Sequence, residues 1–538
     1  MAKSRLAALI WVTGLFAVAV QALAVASRYF QPGLSADYIY PQLFAEDVLG
    51  GRYPLAGWTL SSAPYFFPDM AGAIVLRAMA GPGTILPAYL VCSCMALAVL
   101  AGWSLARATA TGWGGWLGGV VLVNGLLAWW PVGDHAHYLW LLGTAGFHGG
   151  AVLLGLANAA LWLGDGKPPA GARRVLALAV MAAGALSDTL FLTQAALPLG
   201  IALWLAAGRR WRDPRVLGYL RAGLVGIALM AAVRLALASS GWFSFSHVIR
   251  YAPTPAAVGG AVTAFARDLA QTLLPAGWGF AVLAAVFCAV AAFAIRRSGP
   301  DRPARDDDGR TALMFGLGCL AATVLFPLGT AYWRDAQHVR YVLPWLVLPG
   351  WTALACLLPA RRGWAGSPRA LMATGAAFVG MIAIAVPGIQ RARLAWPYPE
   401  QQARFDEFAA AHHLRHGFSD YWHAHTLNTL TRAPVRLFPL RPAGTASFWN
   451  SNAYWFHDSE PANGGLVEPA YTFIVTNGLD EVALQKRFGS PGSTAKVGEL
   501  SVWMYDAPAQ ARLNDAVGRE VRAFVAGRPG ESRIAARN

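Results

Sequence analysis

The sequence predicts an α-helical polytopic membrane protein with about eleven transmembrane helices, followed by a C-terminal α/β domain. Three observations predict it. Of 538 residues, 56% are hydrophobic and only 13% charged, where a soluble globular chain carries about 25% charged residues. Mean hydropathy is +0.42, and the apolar residues gather in runs of the roughly 17–25 residues that cross a bilayer core. Beyond residue 390 these runs stop, and short alternating apolar patterns replace them.

The predicted spans are 6–26, 84–106, 113–130, 144–163, 175–186, 190–207, 222–237, 273–295, 311–328, 342–358 and 371–389. The short pair 175–186 and 190–207, split by Ser187 and Asp188, reads either as two helices or as one bent element. Segment 6–26 follows Lys3 and Arg5 and is long enough to span. No small-residue cleavage motif follows it, so it is expected to remain as a helix.

Orientation follows from Lys and Arg near the span ends, which favour the cytoplasm. One set of alternate loops holds Lys3 and Arg5, Arg107, Lys167 with Arg173 and Arg174, the cluster Arg209 to Arg215, the cluster Arg296 to Arg310, and Arg361, Arg362 and Arg369. That set marks the cytoplasmic face of a bacterial inner membrane, with the N-terminus cytoplasmic. The net charge of +15 is spent in these clusters rather than in one continuous patch, which excludes a nucleic-acid partner. All five cysteines lie in apolar stretches, so neither a disulfide framework nor a cysteine metal site is indicated. Every histidine falls on the opposite face or at the end of a helix facing it.

Residues 1–390 thus form the expected membrane domain, residues 391–528 a periplasmic α/β domain, and residues 529–538 a disordered tail. In the second, helices are expected at 399–413 and 480–488 and strands at 417–422, 435–440, 471–476 and 498–505. Aromatic and polar residues mix in 417–426 and 448–455, a composition that suits carbohydrate and also suits an ordinary core.

The first non-cytoplasmic loop, 27–83, is too long for a simple connector. It carries Asp37, Tyr38, Glu46 and Asp47, and 40–49 is expected as an amphipathic helix on the membrane surface. Such a loop can present a base to a lipid-borne substrate. Asp37 reads either as that base or as a cap of the loop helix. Glu46 and Asp47 read as surface charges or as supporting groups. Among cations, Arg234 sits in an apolar helix near its end, where it faces a cavity or reaches for headgroups. Arg334 and Arg340 flank Asp335 and His338 and have the bidentate geometry that phosphate accepts. Asp134, His135 and His137 could hold a divalent metal or form a polar turn. Asp188 could line a cavity or cap the second short helix.

This arrangement resembles the GT-C superfamily of membrane glycosyltransferases, which includes protein O-mannosyltransferases and lipid A aminoarabinose transferases. The resemblance lies in the cytoplasmic start, the acidic first loop with Asp37 and Glu46-Asp47 before Gly50-Gly51-Arg52-Tyr53, the split helix pair, and Arg340-Tyr341-Val342-Leu343-Pro344 entering a late helix. It implies a polyprenyl-phosphate-linked sugar as donor, an envelope glycan, lipid or protein as acceptor, inversion at the sugar, and Asp37 as the general base. A donor of that kind needs cations for its phosphate, for which Arg234, Arg334 and Arg340 are the candidates, with Tyr38, Glu46 and Asp47 as acceptor-binding or supporting residues. Asp134, His135, His137, Asp188 and His338 would line the cavity. The first loop lacks the Asp-x-Asp pair of the metal-dependent branch, so no cofactor is firmly expected, although a divalent metal has candidate ligands. A lipid-linked glycan transporter or a catalytically silent scaffold would share the plan.

Overall fold

The computed structural model describes residues 2–29, 35–80, 85–129, 141–164, 167–246, 253–273, 307–334, 336–358, 398–459 and 466–527. The expected spans 273–295 and 371–389, the tail 529–538, and Asp134, His135 and His137 lie outside the described residues, apart from Leu273 at one edge.

The helices, in chain order, are α1 (Ala2–Tyr29), α2 (Ala36–Gly50), α3 (Ala71–Ala80), α4 (Leu86–Thr109), α5 (Trp113–Trp129), α6 (Gly149–Trp162), α7 (Gly171–Ser187), α8 (Thr189–Ala206), α9 (Pro214–Ser239), α10 (Pro255–Asp268), α11 (Asp307–Gly329), α12 (Pro344–Leu357), α13 (Glu400–Ala411), α14 (Tyr421–Leu430), α15 (Glu481–Phe488) and α16 (Ala507–Ala526). Strands are β1 (Trp58–Leu60), β2 (Ser244–Phe245), β3 (His416–Asp420), β4 (Arg436–Leu440), β5 (Ser451–Asn452), β6 (Phe473–Val475), β7 (Ser493–Val497) and β8 (Leu500–Met504), with two further short pairing segments at Asp458–Ser459 and Leu466–Val467.

The chain is mostly helical, and six helices among the described residues are long and apolar enough to cross a membrane. They are α1, α4, α8, α9, α11 and α12 with the turn before it. α5 and α6 are apolar but shorter. The expected pair at 175–207 is two helices, because Asp188 adopts an extended backbone between them and caps α8.

Bilayer-facing helices need no polar coat, and several here carry bulky apolar side chains on their outer faces. α1 exposes Leu9, Val12 and Phe16, and α9 exposes Leu220, Leu224 and Leu235. Soluble monomers rarely show apolar faces of that extent. Inside the bundle, polar side chains join helices where lipid gives no hydrophobic drive. Gln21 of α1 donates to Asn124 of α5 at 2.8 Å, Asn124 donates to the Gly14 carbonyl at 3.2 Å, and Trp351 of α12 donates to Ser104 of α4 at 2.8 Å.

The two ends of the bundle differ in chemistry. At the C-terminus of α6, Arg107, Arg173 and Arg215 donate to the carbonyls of Leu163, Leu161 and Trp162 at 3.2, 2.7 and 3.1 Å. Guanidinium groups suit this end because its last carbonyls lack helical partners and carry the negative end of the helix dipole. The N-terminus of α6, at His148, lies at the other end with α2.

Residues 398–527 form an α/β unit. Its five-stranded sheet has the order β4-β3-β6-β8-β7, with β3 parallel to β4 and β6, and β8 antiparallel to β6 and β7. Strands at 416–420, 436–440, 473–475 and 500–504 and helices α13 and α15 fall where the alternation placed them. Asp480 caps α15 by accepting from Val482 and Ala483 N–H at 3.0 and 3.1 Å. α14, α16 and β7 were not legible in that pattern.

A second sheet joins distant parts of the chain. β1 of the first loop pairs in parallel with β2 and antiparallel with β5, in the order β2-β1-β5. This sheet corrects the expectation for α2. Instead of lying on a membrane surface, α2 is buried almost all round, from Ala36 to Ala45 and again at Asp47, because the bundle packs on one side and the C-terminal unit on the other. Asp47 is likewise no surface charge: Trp58, Asn452 and Trp455 all donate to its Oδ2, at 2.8, 2.8 and 3.0 Å.

Candidate active site

The first turn of α2 sets the position of Asp37. Ser35 is the helix cap, its hydroxyl accepting the Asp37 N–H at 3.4 Å, so the Asp37 carboxylate is free of that duty. Asp37 is buried. Its Oδ1 accepts from the Tyr421 hydroxyl at 3.1 Å, and its Oδ2 lies 3.9 Å from Arg340 Nη1. Burial pushes its pKa above the ordinary carboxylate range, while the Arg340 charge and the Tyr421 hydrogen bond oppose that rise without cancelling it.

Close approach of a loop makes this corner. Gly146 has φ of +83°, and a Cβ there would stand 2.1 Å from the Asp37 carbonyl oxygen, so only glycine lets this loop cross the first turn of α2. Phe147 then packs against Tyr38 with ring centroids 4.5 Å apart and the planes tilted by 35°. Arg340 lies over both Phe147 and Tyr341, at 6.0 and 5.4 Å from their centroids.

A second polar group adjoins the first. His148 Nδ1 lies 2.6 Å from Asp188 Oδ2, and its Nε2 lies 3.3 Å from the Tyr65 hydroxyl. Asp188 Oδ1 meanwhile accepts the Leu190 N–H at 2.9 Å, so this residue both caps α8 and faces the cluster. Asp69 accepts from the Tyr89 hydroxyl at 2.6 Å and from Gly146 N–H at 2.8 Å. Burial holds its pKa up at about 6.

Arg234 turns inward from α9. Its Nη2 donates to the Ser62 and Leu186 carbonyls at 3.0 and 3.3 Å, beside the Phe245 ring. The Nε atoms of Arg234 and Arg340 are buried with no hydrogen-bond partner among the described residues. Both guanidiniums therefore retain donor capacity at this end of the bundle.

The structure brings Asp37, Arg340, Asp188 and Arg234 into one electrostatic cluster. Tyr38, itself buried, borders this cluster through Phe147, and the remaining expected residues stand apart. Glu46 and Asp47 lie nine and ten residues beyond Asp37 on α2, about 14–15 Å along the axis at the helical rise. Glu46 pairs with Arg77 at 3.4 Å. Arg334 is exposed, and His338 packs among Tyr332, Trp333 and Tyr341. Among the described residues, no three His, Cys, Asp or Glu side chains gather to hold a metal ion.

Sequence reasoning missed His148, Tyr65 and Tyr421. A histidine set between Gly146 and Gly149-Gly150 was the available signal for the first. Tyr421 is flanked by Trp422 and Trp449, with ring centroids 5.1 and 4.8 Å away. These tryptophans are 45% and 40% exposed, unlike the buried aromatic core of the same unit.

On the bundle side, a small apolar crevice of about 20 Å³ lies among α6, α8, α11 and α12. Ala151, Leu156, Leu190, Phe191, Phe315 and Leu348 line it. Leu190 and Ala151 follow Asp188 and His148 by two and three residues, so the polar cluster and the apolar crevice adjoin.

No protein-family model matches the chain, and no curated protein matches it in sequence.

Proposed function

We propose that the chain is a membrane glycosyltransferase of GT-C-like plan, moving a sugar from a polyprenyl-phosphate donor to an envelope acceptor at the periplasmic face of a bacterial inner membrane. In this reading eleven helices span the bilayer and residues 391–528 lie in the periplasm. The observation that carries it is the buried Asp37 carboxylate, held between the Arg340 guanidinium and the Tyr421 hydroxyl. A base and a cation for phosphate are what such a transfer requires.

The chemistry follows from those groups. An acceptor hydroxyl is a weak nucleophile at neutral pH, and a carboxylate within hydrogen-bond reach takes its proton as attack proceeds. The acceptor oxygen bonds to the anomeric carbon, the carbon–oxygen bond to phosphate breaks, and the electron pair stays on the phosphate. Arg340, with Arg234 nearby, offsets the charge that develops there. The raised pKa of Asp37 makes its ionised form a stronger base than a solvated carboxylate. The exposed Trp422 and Trp449 suit an acceptor with sugar rings, which stack on indole faces. The arginines at the far end of α6 belong to the basic loops, which supports placing that end in the cytoplasm.

Mass spectrometry of lipids that copurify with the protein tests this reading. A prenyl phosphate carrying one sugar is the expected species. Phospholipids alone, from cells that contain such prenyl-linked sugars, would count against it.

A further inference from the structure

α3 is built inside out for a helix at a water surface. From Ala71 to Ala80 it holds one polar side chain, Arg77. A helix on a soluble protein turns its apolar stripe to the core and its charges to water. Here the charge turns inward, Arg77 Nε lying 3.4 Å from Glu46 Oε1 of α2, on the same face as the fully buried Ala73 one turn earlier. The opposite face, about half a turn round the axis, carries Ala71, Val75, Ala78 and Met79. Val75 is 57% exposed, and Met79, at 79%, is the most exposed large apolar residue among the described residues. Phe67, just ahead of the helix, is exposed as well.

The depth of this helix follows from its ties to α4. Tyr89, the fourth residue of α4, donates its hydroxyl to Asp69 just before α3 at 2.6 Å, and a Cβ on Gly72 would stand 3.1 Å from the Tyr89 ring. Ala73 packs with Ala45 of α2 and with Ile85, which leads into α4. Tyr89 lies about 4.5 Å along α4 from its first residue. The 24 residues of α4 extend about 36 Å, roughly 6 Å more than a hydrocarbon core. The start of α3 is therefore level with the turn where α4 leaves the hydrocarbon. Residues 81–85 lead from its other end to Leu86, which keeps that end within about 20 Å of the same level. At about 15 Å long, α3 is too short to cross the core itself.

We infer that α3 is the membrane-surface helix of the first loop, with its Ala71, Val75, Ala78 and Met79 face set into the acyl chains of the leaflet at the N-terminal end of α4. Lipid fits this face better than a second copy of the chain does. A stable dimer buries about 800 Å² on each partner, whereas a helix about 15 Å long and about 10 Å wide offers roughly 150 Å². The membrane-surface position expected for 40–49 thus falls to 71–80, and α2 packs on the inner side of α3 through Ala45 and Glu46. Contact of α3 with lipid in this way holds α2 at the level of the headgroups, whatever chemistry Asp37 performs.

The test uses the full-length protein in vesicles of phosphatidylethanolamine and phosphatidylglycerol, with the five native cysteines replaced by alanine and a nitroxide attached to Val75→Cys or Met79→Cys. Collision of the label with oxygen, which concentrates in acyl chains, is compared with collision with a water-soluble nickel chelate. Two further labels calibrate the scale and report the fold: Leu224→Cys on the apolar span α9 and Val482→Cys on α15, which are 68% and 77% exposed. At Val75 and Met79 the ratio of oxygen to nickel collision should match that at Leu224 and exceed that at Val482 severalfold. A ratio equal to that at Val482 puts the face in water and overturns the inference. Low collision with both reagents overturns it too, because protein then covers the face; loss of spin–spin broadening on dilution with unlabelled protein identifies that cover as a second copy. Two positions are labelled so that either one decides if the other variant fails to fold.

Discussion

Asp69 shows how burial at a single residue becomes a measurable property of the protein. Its carboxyl is pushed to about 6 by burial, above the 3.8 of a free aspartate, despite two hydrogen bonds that favour the ion. The folded chain therefore holds this proton more tightly than the unfolded chain. The stability it contributes is complete below about pH 4 and is lost as pH rises through 6, by roughly 3 kcal/mol at 1.36 kcal/mol per unit. Asp47, also raised to about 6 by burial, acts in the same direction. Asp69→Asn should reduce the fall in melting temperature between pH 4 and pH 7 relative to wild type; an unchanged pH slope would show that the carboxyl is not perturbed. Asp37 was legible in the sequence because an acidic residue in a long loop between apolar runs stands out. Tyr421 was not, since it is 384 residues away and only packing brings it there. The Asp188 break was also legible, but its partner His148 lies 40 residues earlier, with nothing in the local pattern linking them.

At the scale of elements, the close crossing of α4 and α5 depends on missing side chains. A Cβ at Gly119 would stand 2.2 Å from the Gly102 nitrogen and 2.5 Å from the Ala98 carbonyl oxygen. Backbone cannot yield as a side chain can, and small residues four apart are the usual means of such approach between membrane helices. Gly119→Leu should lower the detergent-solubilised stability by roughly 3 kcal/mol, the upper range for overpacking. Gly118→Leu, where a Cβ would meet only leucine side chains at 3.3 Å and beyond, should be milder; equal effects would contradict the crossing. Long apolar runs made α1, α4, α9 and α11 readable, since one bilayer-spanning length leaves little ambiguity. α14 was read as an aromatic cluster because Tyr421, Trp422, His423 and His425 obscure its 3.6-residue period. α16 hides similarly: its apolar stripe of Leu513, Val517, Val521 and Val525 is interrupted by charged residues on the other faces. α2 misled for the opposite reason, as its polar residues are buried by tertiary contacts that no local period reveals.

The whole molecule is organised so that remote segments meet at α2. β1, β2 and β5 come from the first loop, the end of α9 and the C-terminal unit, and the Asp47 carboxylate ties Trp58 to Asn452 and Trp455 beside them. The C-terminal unit is thereby fixed against the bundle, and Tyr421 is delivered to Asp37 while Arg340 arrives from the helix side. In the proposed transfer, acceptor and donor approach this carboxylate from the two parts of the molecule that only the complete fold joins. Turnover of a labelled polyprenyl-phosphate sugar by Asp37→Asn, in vesicles with the acceptor fraction, tests that account most directly. A general base contributes about a hundredfold or more, so the variant should lose at least that in turnover while binding a prenyl phosphodiester as well as wild type does. Turnover within about twofold of wild type would contradict it.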